Sequence, residues 1–376
     1  GLVGVAALAG AAGLAALAEG GTARFFRSYL VAYMFFLSLA LGGMVFTLLQ
    51  HLTRAGWSVA VRRLAEVTAW TVTPLTVLGL VLLGGMRSLY PWTHAEIVAA
   101  DPLLQGKQAW LNVGFFVARF AGYFLVWNVA AQFFLRRSLH QDRTGDPALT
   151  LQMERAAPPA TILYGVTVTF AVFDWVMSLY PHWYSTIFGV YYFAGCMIGF
   201  LALAALALFA LQGRGQLAAV SLAHYHDLGK LLFAFVVFWG YVAFSQYMLI
   251  WYANIPEETA WYRLRQEGGW GGVGALLIFG HFVVPFLVLL SRHPKRRRAG
   301  LAAAAAWLLV AHWFDLYYLI MPEASPGSVP LSLVDLGCTL GLGGLFGASL
   351  LWRLERVELI PVRDPRLEES LGYESL

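Results

Sequence analysis

Ten apolar stretches of about 20 residues, the length that carries an α-helix across a bilayer, alternate with short polar breaks along this chain. They run over about 1–18, 29–51, 68–86, 110–135, 158–180, 186–212, 230–252, 271–291, 301–321 and 331–352. The period-two alternation of membrane strands is absent, so the pattern predicts helices and an all-α, polytopic membrane protein. The first stretch, GLVGVAALAGAAGLAALA, is short and rich in Gly and Ala, and reads as a transmembrane helix rather than the remnant of a signal sequence.

A repeat is hidden among these stretches. FDWVMSLYP (173–181) and FDLYYLIMP (314–322) both set an Asp two positions in and a Pro seven positions after it. They close spans five and nine, so the period is four helices. FAGYFLVW in span four and FGHFVVPF in span eight share position and texture. The expectation is two four-helix bundles, spans 2–5 (29–180) and spans 6–9 (186–321), related by a pseudo-two-fold axis along the membrane normal. Spans 1 and 10 flank them, and a tail over 353–376 follows the final helix at 331–352. Seven residues at 1.5 Å each put Asp174 and Asp315 about 10 Å below the ends of their helices.

Composition agrees with the pattern. The chain of 376 residues is 59% hydrophobic and 12% charged, whereas a soluble domain carries roughly a quarter charged residues. It reads as a single membrane domain over 1–376. The net charge of +4 comes from basic residues in short loops, which is no footprint for nucleic acid. Eighteen of the 25 Lys and Arg residues fall on one side of the ten spans and six on the other, with Arg119 inside a span. That asymmetry places the rich side, with both termini, in the cytoplasm. Cys196 and Cys338 lie in apolar runs without CxxC or CxxCH spacing, which excludes self-contained iron–sulfur or c-type haem sites. LGG and GLGGLFG sit inside helices as small-residue contacts. His224, His226 and Asp227 precede the seventh span, where Asp227 serves as a cap and no metal is expected. The loops 87–109 and 253–270 carry Trp92, Trp110, Trp261, Tyr262 and Trp270, as an interfacial aromatic belt or a docking surface for partner subunits.

Inside the spans, away from the end residues His51 and Lys230, stand Arg119, Asp174, His281, His312, Asp315 and Asp335. Each charge near the midplane costs about 2.5–3.5 kcal/mol on insertion scales, so such groups face the bundle interior and are site candidates. His312 and Asp315, three apart, share one helix face. Two readings stand side by side. Asp174, His281, His312, Asp315 and Asp335 form a proton half-channel from the outer surface to the midplane, or Arg119 is neutralised by one or both repeat aspartates as a buried ion pair. A quinone pocket using His and Asp as proton acceptors is the third. The cytoplasmic half offers His51 and Glu66 at its edge, with Thr71, Thr73 and Thr76 above them. No hydrolase constellation stands outside the spans.

Three long segments carry a family likeness. GGMVFTLLQHLTRAGWSVAVRRLAE (42–66), FDWVMSLYPHWYSTIFGVYYFAG (173–195) and QYMLIWYANIPEETAWYRLR (246–265) resemble the ActF-type integral membrane subunit of bacterial alternative complex III. The resemblance covers nearly the whole chain. It implies kinship with NrfD-like, polysulfide-reductase-type membrane anchors, whose core is two four-helix bundles. It further implies an inner-membrane location in an electron-transport assembly that oxidises quinol, with an NrfD-like sister membrane subunit, an iron–sulfur subunit and c-type cytochrome subunits as partners. The chain itself is then expected to hold no cofactor, with menaquinone or another quinone at or near it. Proton translocation, structural coupling, direct quinol binding and a purely anchoring role are all open under that resemblance, in a respiratory or a photosynthetic setting.

Overall fold

The computed structural model of the protein describes residues 1–16 and 21–375. The described residues are helical and contain no strand. The long helices, numbered in chain order, are α1 (Leu2–Ala16), α2 (Gly21–Leu52), α3 (Val59–Gly84), α4 (Val113–Thr144), α5 (Ala148–Leu179), α6 (Phe188–Gly213), α7 (Leu222–Ala253), α8 (Trp270–Leu290), α9 (Arg298–Ile320) and α10 (Leu333–Leu354). Nine of them, among the described residues, are long and apolar enough to cross a membrane. At 15 residues α1 falls short of a full span, and residues 17–18 of the predicted first stretch lie outside the described part. The protein is an all-α, polytopic membrane protein.

Packing arranges eight helices as two rings. In the first, α2 meets α3, α3 meets α4, α4 meets α5, and α5 returns to α2; in the second, α6, α7, α8 and α9 close the same circuit. The rings join through α2 against α6, and through the reciprocal contacts α2 with α9 and α5 with α6. This is the pattern a two-fold axis between α2 and α6 produces. Close approach is built in by Gly42, since a Cβ there would lie 2.1 Å from the carbonyl oxygen of Cys196 on α6. Outside the rings, α1 lies along α10, and α10 along α2.

Several helices overrun the apolar stretches that predict them, because hydropathy cannot see charges that neutralise one another. The chief case is α3, which starts at Val59 rather than 68. Its first turns carry Arg62, Arg63 and Glu66, all buried. Glu66 accepts from Arg62 Nε at 3.1 Å and from Arg63 Nε at 3.0 Å. Arg63 Nη2 donates to Asp142 of α4 at 2.7 Å. The same helix breaks at Thr71, where Pro74 has no N–H for the carbonyl of Trp70. Likewise α7 begins at Leu222, not 230, capped by Ser221 with His224 in a reciprocal box. Asp227 is therefore not the cap; it is one turn inside the helix.

The tail is not a free, solvated run. Residues 355–375 cross the arginine-rich end and bond to both rings. On the first, Asp364 pairs with Arg62, Arg366 with Glu154 at 2.8 Å, and the Ser370 hydroxyl donates to the Trp57 carbonyl at 2.6 Å. On the second, Ser370 Oγ meets His224 Nε2 at 3.1 Å, and Asp227 accepts from Tyr373 and Ser375.

At the opposite end, short helices at Ala95–Ala100 and Pro102–Gly106 clip onto the turn after α5. Lys107 Nζ donates to the Pro181 carbonyl at 2.6 Å, and Asp101 Oδ2 meets His182 Nε2 at 2.6 Å. Partial desolvation pushes the Asp101 carboxyl up, but hydrogen bonds from the Leu104 and Leu103 amides and from His182 outweigh it, holding it below its ordinary value. A depressed carboxyl stabilises the docked loop above its unfolded pKa, and the stabilisation is lost as pH falls through the folded value. Amide-exchange protection over 95–107, taken relative to the intrinsic rate at each pH, is therefore expected to fall as pH drops into the carboxylate range. Asp101→Asn should show the low protection already at neutral pH; equal protection in variant and parent would remove the clip's role.

Candidate functional site

The two repeat aspartates occupy matching places. Asp174 lies five residues before Leu179 at the end of α5, and Asp315 five before Ile320 at the end of α9. Both carboxylates are buried. Each accepts from one indole N–H and one phenol. For Asp174 these are Trp110 Nε1 at 3.0 Å and Tyr123 at 2.7 Å; for Asp315 they are Trp239 Nε1 at 3.2 Å and Tyr191.

What differs is the cation. Arg119 of α4 grips Asp174 with both arms, Nε to Oδ2 at 2.7 Å and Nη2 to Oδ1 at 2.8 Å. Its third donor reaches the Trp110 carbonyl at 3.0 Å, and its guanidinium stacks 4.1 Å from the Trp110 ring. A carboxylate with four donors, two of them a planar fork, has its charge and lone pairs satisfied in place. Asp174 is thus a tie between α4, α5 and the preceding loop. Trp110, which the sequence offers as a belt residue, is part of that tie.

Asp315 has no such partner. Among the described residues no Lys or Arg lies within salt-bridge reach of it. Its neighbour on the same helix face is His312, whose Nδ1 is 4.0 Å from Oδ2. His312 Nε2 lies 2.8 Å from the Ser38 hydroxyl of α2, across the junction of the rings. The imidazole fits against α6 because of Gly195: a Cβ there would lie 2.7 Å from His312 Cε1. His281 completes the group. Its ring is 4.2 Å from that of Trp239 and 6.2 Å from that of His312. It is fully buried, and neither of its ring nitrogens has a hydrogen-bond partner; nor does His312 Nδ1.

The backbone at His281 is unusual too. Leu277–Val283 is a π-helical segment, a form found mostly as single-turn bulges and frequently at functional sites. Pro285 accounts for it, since its ring cannot sit beneath the carbonyl of His281 in an α-helix. The loosened turn is held by Trp307 Nε1, which donates to the Gly280 carbonyl at 2.6 Å.

Of the sequence candidates, then, His281, His312 and Asp315 come together, and Arg119 and Asp174 form a separate pair. Asp335 belongs to neither. It sits in the first turn of α10, accepts from the Ser332 amide at 2.8 Å and the Ser28 hydroxyl at 2.7 Å, and pairs with Arg24. This is a helix cap with a counterion. At the other end, Glu66 is occupied by two arginines, while Thr73 and Thr76 bond to Asn128. Ser38, Tyr191 and Trp239 were invisible to sequence reasoning, because Ser, Tyr and Trp are ordinary inside membrane helices. Only contact with Asp315 or His312 singles them out.

Comparison with protein-family models and with curated proteins gives no match.

Proposed function

We propose that this chain is a membrane subunit of a quinol-oxidising complex of the alternative complex III type, without a redox centre of its own, and that its second bundle handles protons at Asp315 and His312. In this reading it sits in a bacterial inner membrane with both termini cytoplasmic. It works beside an NrfD-like sister subunit, an iron–sulfur subunit and c-type cytochromes. The first bundle, with Asp174 locked by Arg119, supplies rigidity.

The observation that carries the proposal is the asymmetry between twin carboxylates. One has an arginine fork; the other has neutral donors only and a titratable imidazole within 4.0 Å. A buried carboxyl and an imidazole without a counterion can exchange a proton without first breaking an ion pair. The test is Asp315→Asn in the intact complex. Assembly is expected to stay normal while proton uptake linked to quinol oxidation falls by about 100-fold. Unchanged uptake would defeat the reading.

One observation favours a second reading, direct quinone binding. A groove of about 390 Å³ between α2, α9 and α10 is lined by Phe35, Leu309, Trp313 and Leu336, and the Phe35 ring lies 5.6 Å from that of His312. A photoreactive quinone that labels this groove would support it.

A further inference from the structure

We infer that Ser38 is a positioning residue: it fixes His312 in the tautomer protonated at Nε2, so that the bare Nδ1 faces Asp315 and the two residues hold a single proton between them. Hydrogen-bond directions assign this. A carbonyl oxygen can only accept, and the Ser38 hydroxyl lies 2.6 Å from the Phe35 carbonyl, so its one proton points there. Its oxygen is then left to accept, and the group at 2.8 Å is His312 Nε2. That nitrogen therefore carries the hydrogen, and in a neutral imidazole Nδ1 is then a lone pair.

Nδ1 faces Asp315 Oδ2 at 4.0 Å, both groups being buried. Two lone pairs turned toward each other in a dry interior repel, and a proton placed between them removes the conflict. Tyr191 donates its hydroxyl to Oδ1 and the Trp239 indole, a donor only, reaches Oδ2, which leaves an Oδ2 lone pair facing His312 Nδ1. Titratable side chains beside the pair are Tyr191 on α6, Tyr318 on α9 and His281 on α8, the last without a hydrogen-bond partner. In the resting pair the proton sits on Asp315 Oδ2. Transfer moves it to His312 Nδ1, breaking the O–H bond and forming an N–H bond, which leaves an aspartate held by two donors beside an imidazolium held by Ser38. The two side chains need to approach by about 1 Å for this step. Both stand on α9, so the approach asks only for side-chain rotation.

The functional weight of this inference rests on the proton-handling reading, but its geometry does not, and the experiment separates them. The intact complex, with ring-¹⁵N histidine, is examined by solid-state NMR, and the His312 signals are identified by their loss in His312→Gln. Infrared spectroscopy of the parent against Asp315→Asn reads the carboxyl. Expected at neutral pH are an Nε2–H, bare-Nδ1 pattern for His312 and a protonated carboxyl band for Asp315. In Ser38→Ala the tautomer signals should mix and coupled proton uptake should fall about tenfold with assembly intact, and Ser38→Thr should restore both. An Nδ1–H pattern with an ionised Asp315 in the parent would overturn the inference, as would a Ser38→Ala protein with unchanged signals. If the signals are as expected but Asp315→Asn keeps full uptake, the tautomer assignment stands and it is the proton-handling reading that fails.

Discussion

Arg119→Leu is expected to deplete the assembled subunit, because it leaves the Asp174 carboxylate buried with no cation. Removing one partner of a buried ion pair costs about 3–5 kcal/mol, a large share of the roughly 5–15 kcal/mol that holds a typical domain folded. Both oxygens of Asp174 receive the guanidinium fork, and Trp110 loses the cation stacked on its ring. The damage should therefore spread to the junction of α4, α5 and the loop before α4. Asp174→Asn should be milder. The amide nitrogen cannot accept, but one oxygen remains for the arginine, and Arg119 still has the Trp110 carbonyl. The double variant Arg119→Leu with Asp174→Leu should recover much of the loss, since an apolar pair carries no stranded charge. The measurements are the yield of intact complex and the unfolding temperature of the purified protein. An Arg119→Leu protein as stable as the parent would show that the pair is not a tie, and would return Asp174 to the proton-relay candidates.

The contrast with Asp315→Asn is what gives these variants meaning. The two carboxylates share a motif, burial and a pair of neutral donors, yet one substitution should act on stability and the other on coupling. Motif matching alone cannot distinguish them. FDWVMSLYP and FDLYYLIMP look equally functional as text, and the deciding residue, Arg119, stands 55 positions from its partner.

Much of the architecture was legible in the sequence for a plain reason. A bilayer demands about 20 apolar residues per crossing, and all ten long helices overlap their predicted stretches. The ends were harder to read, because the paired charges of Arg62, Arg63 and Glu66 enter α3 as if neutral. The candidate site was half legible. Ionisable residues inside apolar runs stand out, so His281, His312 and Asp315 could be named together. Asp335 stands out equally, although it caps a helix end; depth along a span does not tell which neighbours a side chain meets. Ser38, Tyr191 and Trp239 carry no such signal. The π-helical turn at His281 had one trace in the sequence, Pro285 four residues on, but a proline in a membrane helix more often marks a simple kink.

Deleting the tail after Glu355 is expected to lower the unfolding temperature sharply and to loosen one bundle against the other. Its bonds fall on both rings, so it acts as a strap across the arginine-rich end. Without it Arg62 keeps Glu66 but loses Asp364, and Glu154 loses Arg366. The Trp57 carbonyl and the Ala60 amide lose Ser370, which bonds to both at 2.6 and 3.0 Å. Each satisfied hydrogen bond contributes about 0.5–1.5 kcal/mol, and stranding a buried polar group costs about 1–3 kcal/mol. Several such losses together reach the size of the Arg119 effect. Ser370→Ala isolates the centre of the strap: the side chain is fully buried, and its oxygen serves Ala60, Trp57 and His224 at once. That single change should cost about 1–3 kcal/mol, while Glu368→Ala, on an exposed position two residues earlier, should stay within about 0.5 kcal/mol of the parent. Proteolysis provides the spatial readout. In the parent the strap shields the turn around Trp57 and the start of α7 together, so deletion should open both at once, one in each bundle. Cleavage confined to one bundle would mean that the tail clasps only that ring, and the strap would be no link between them.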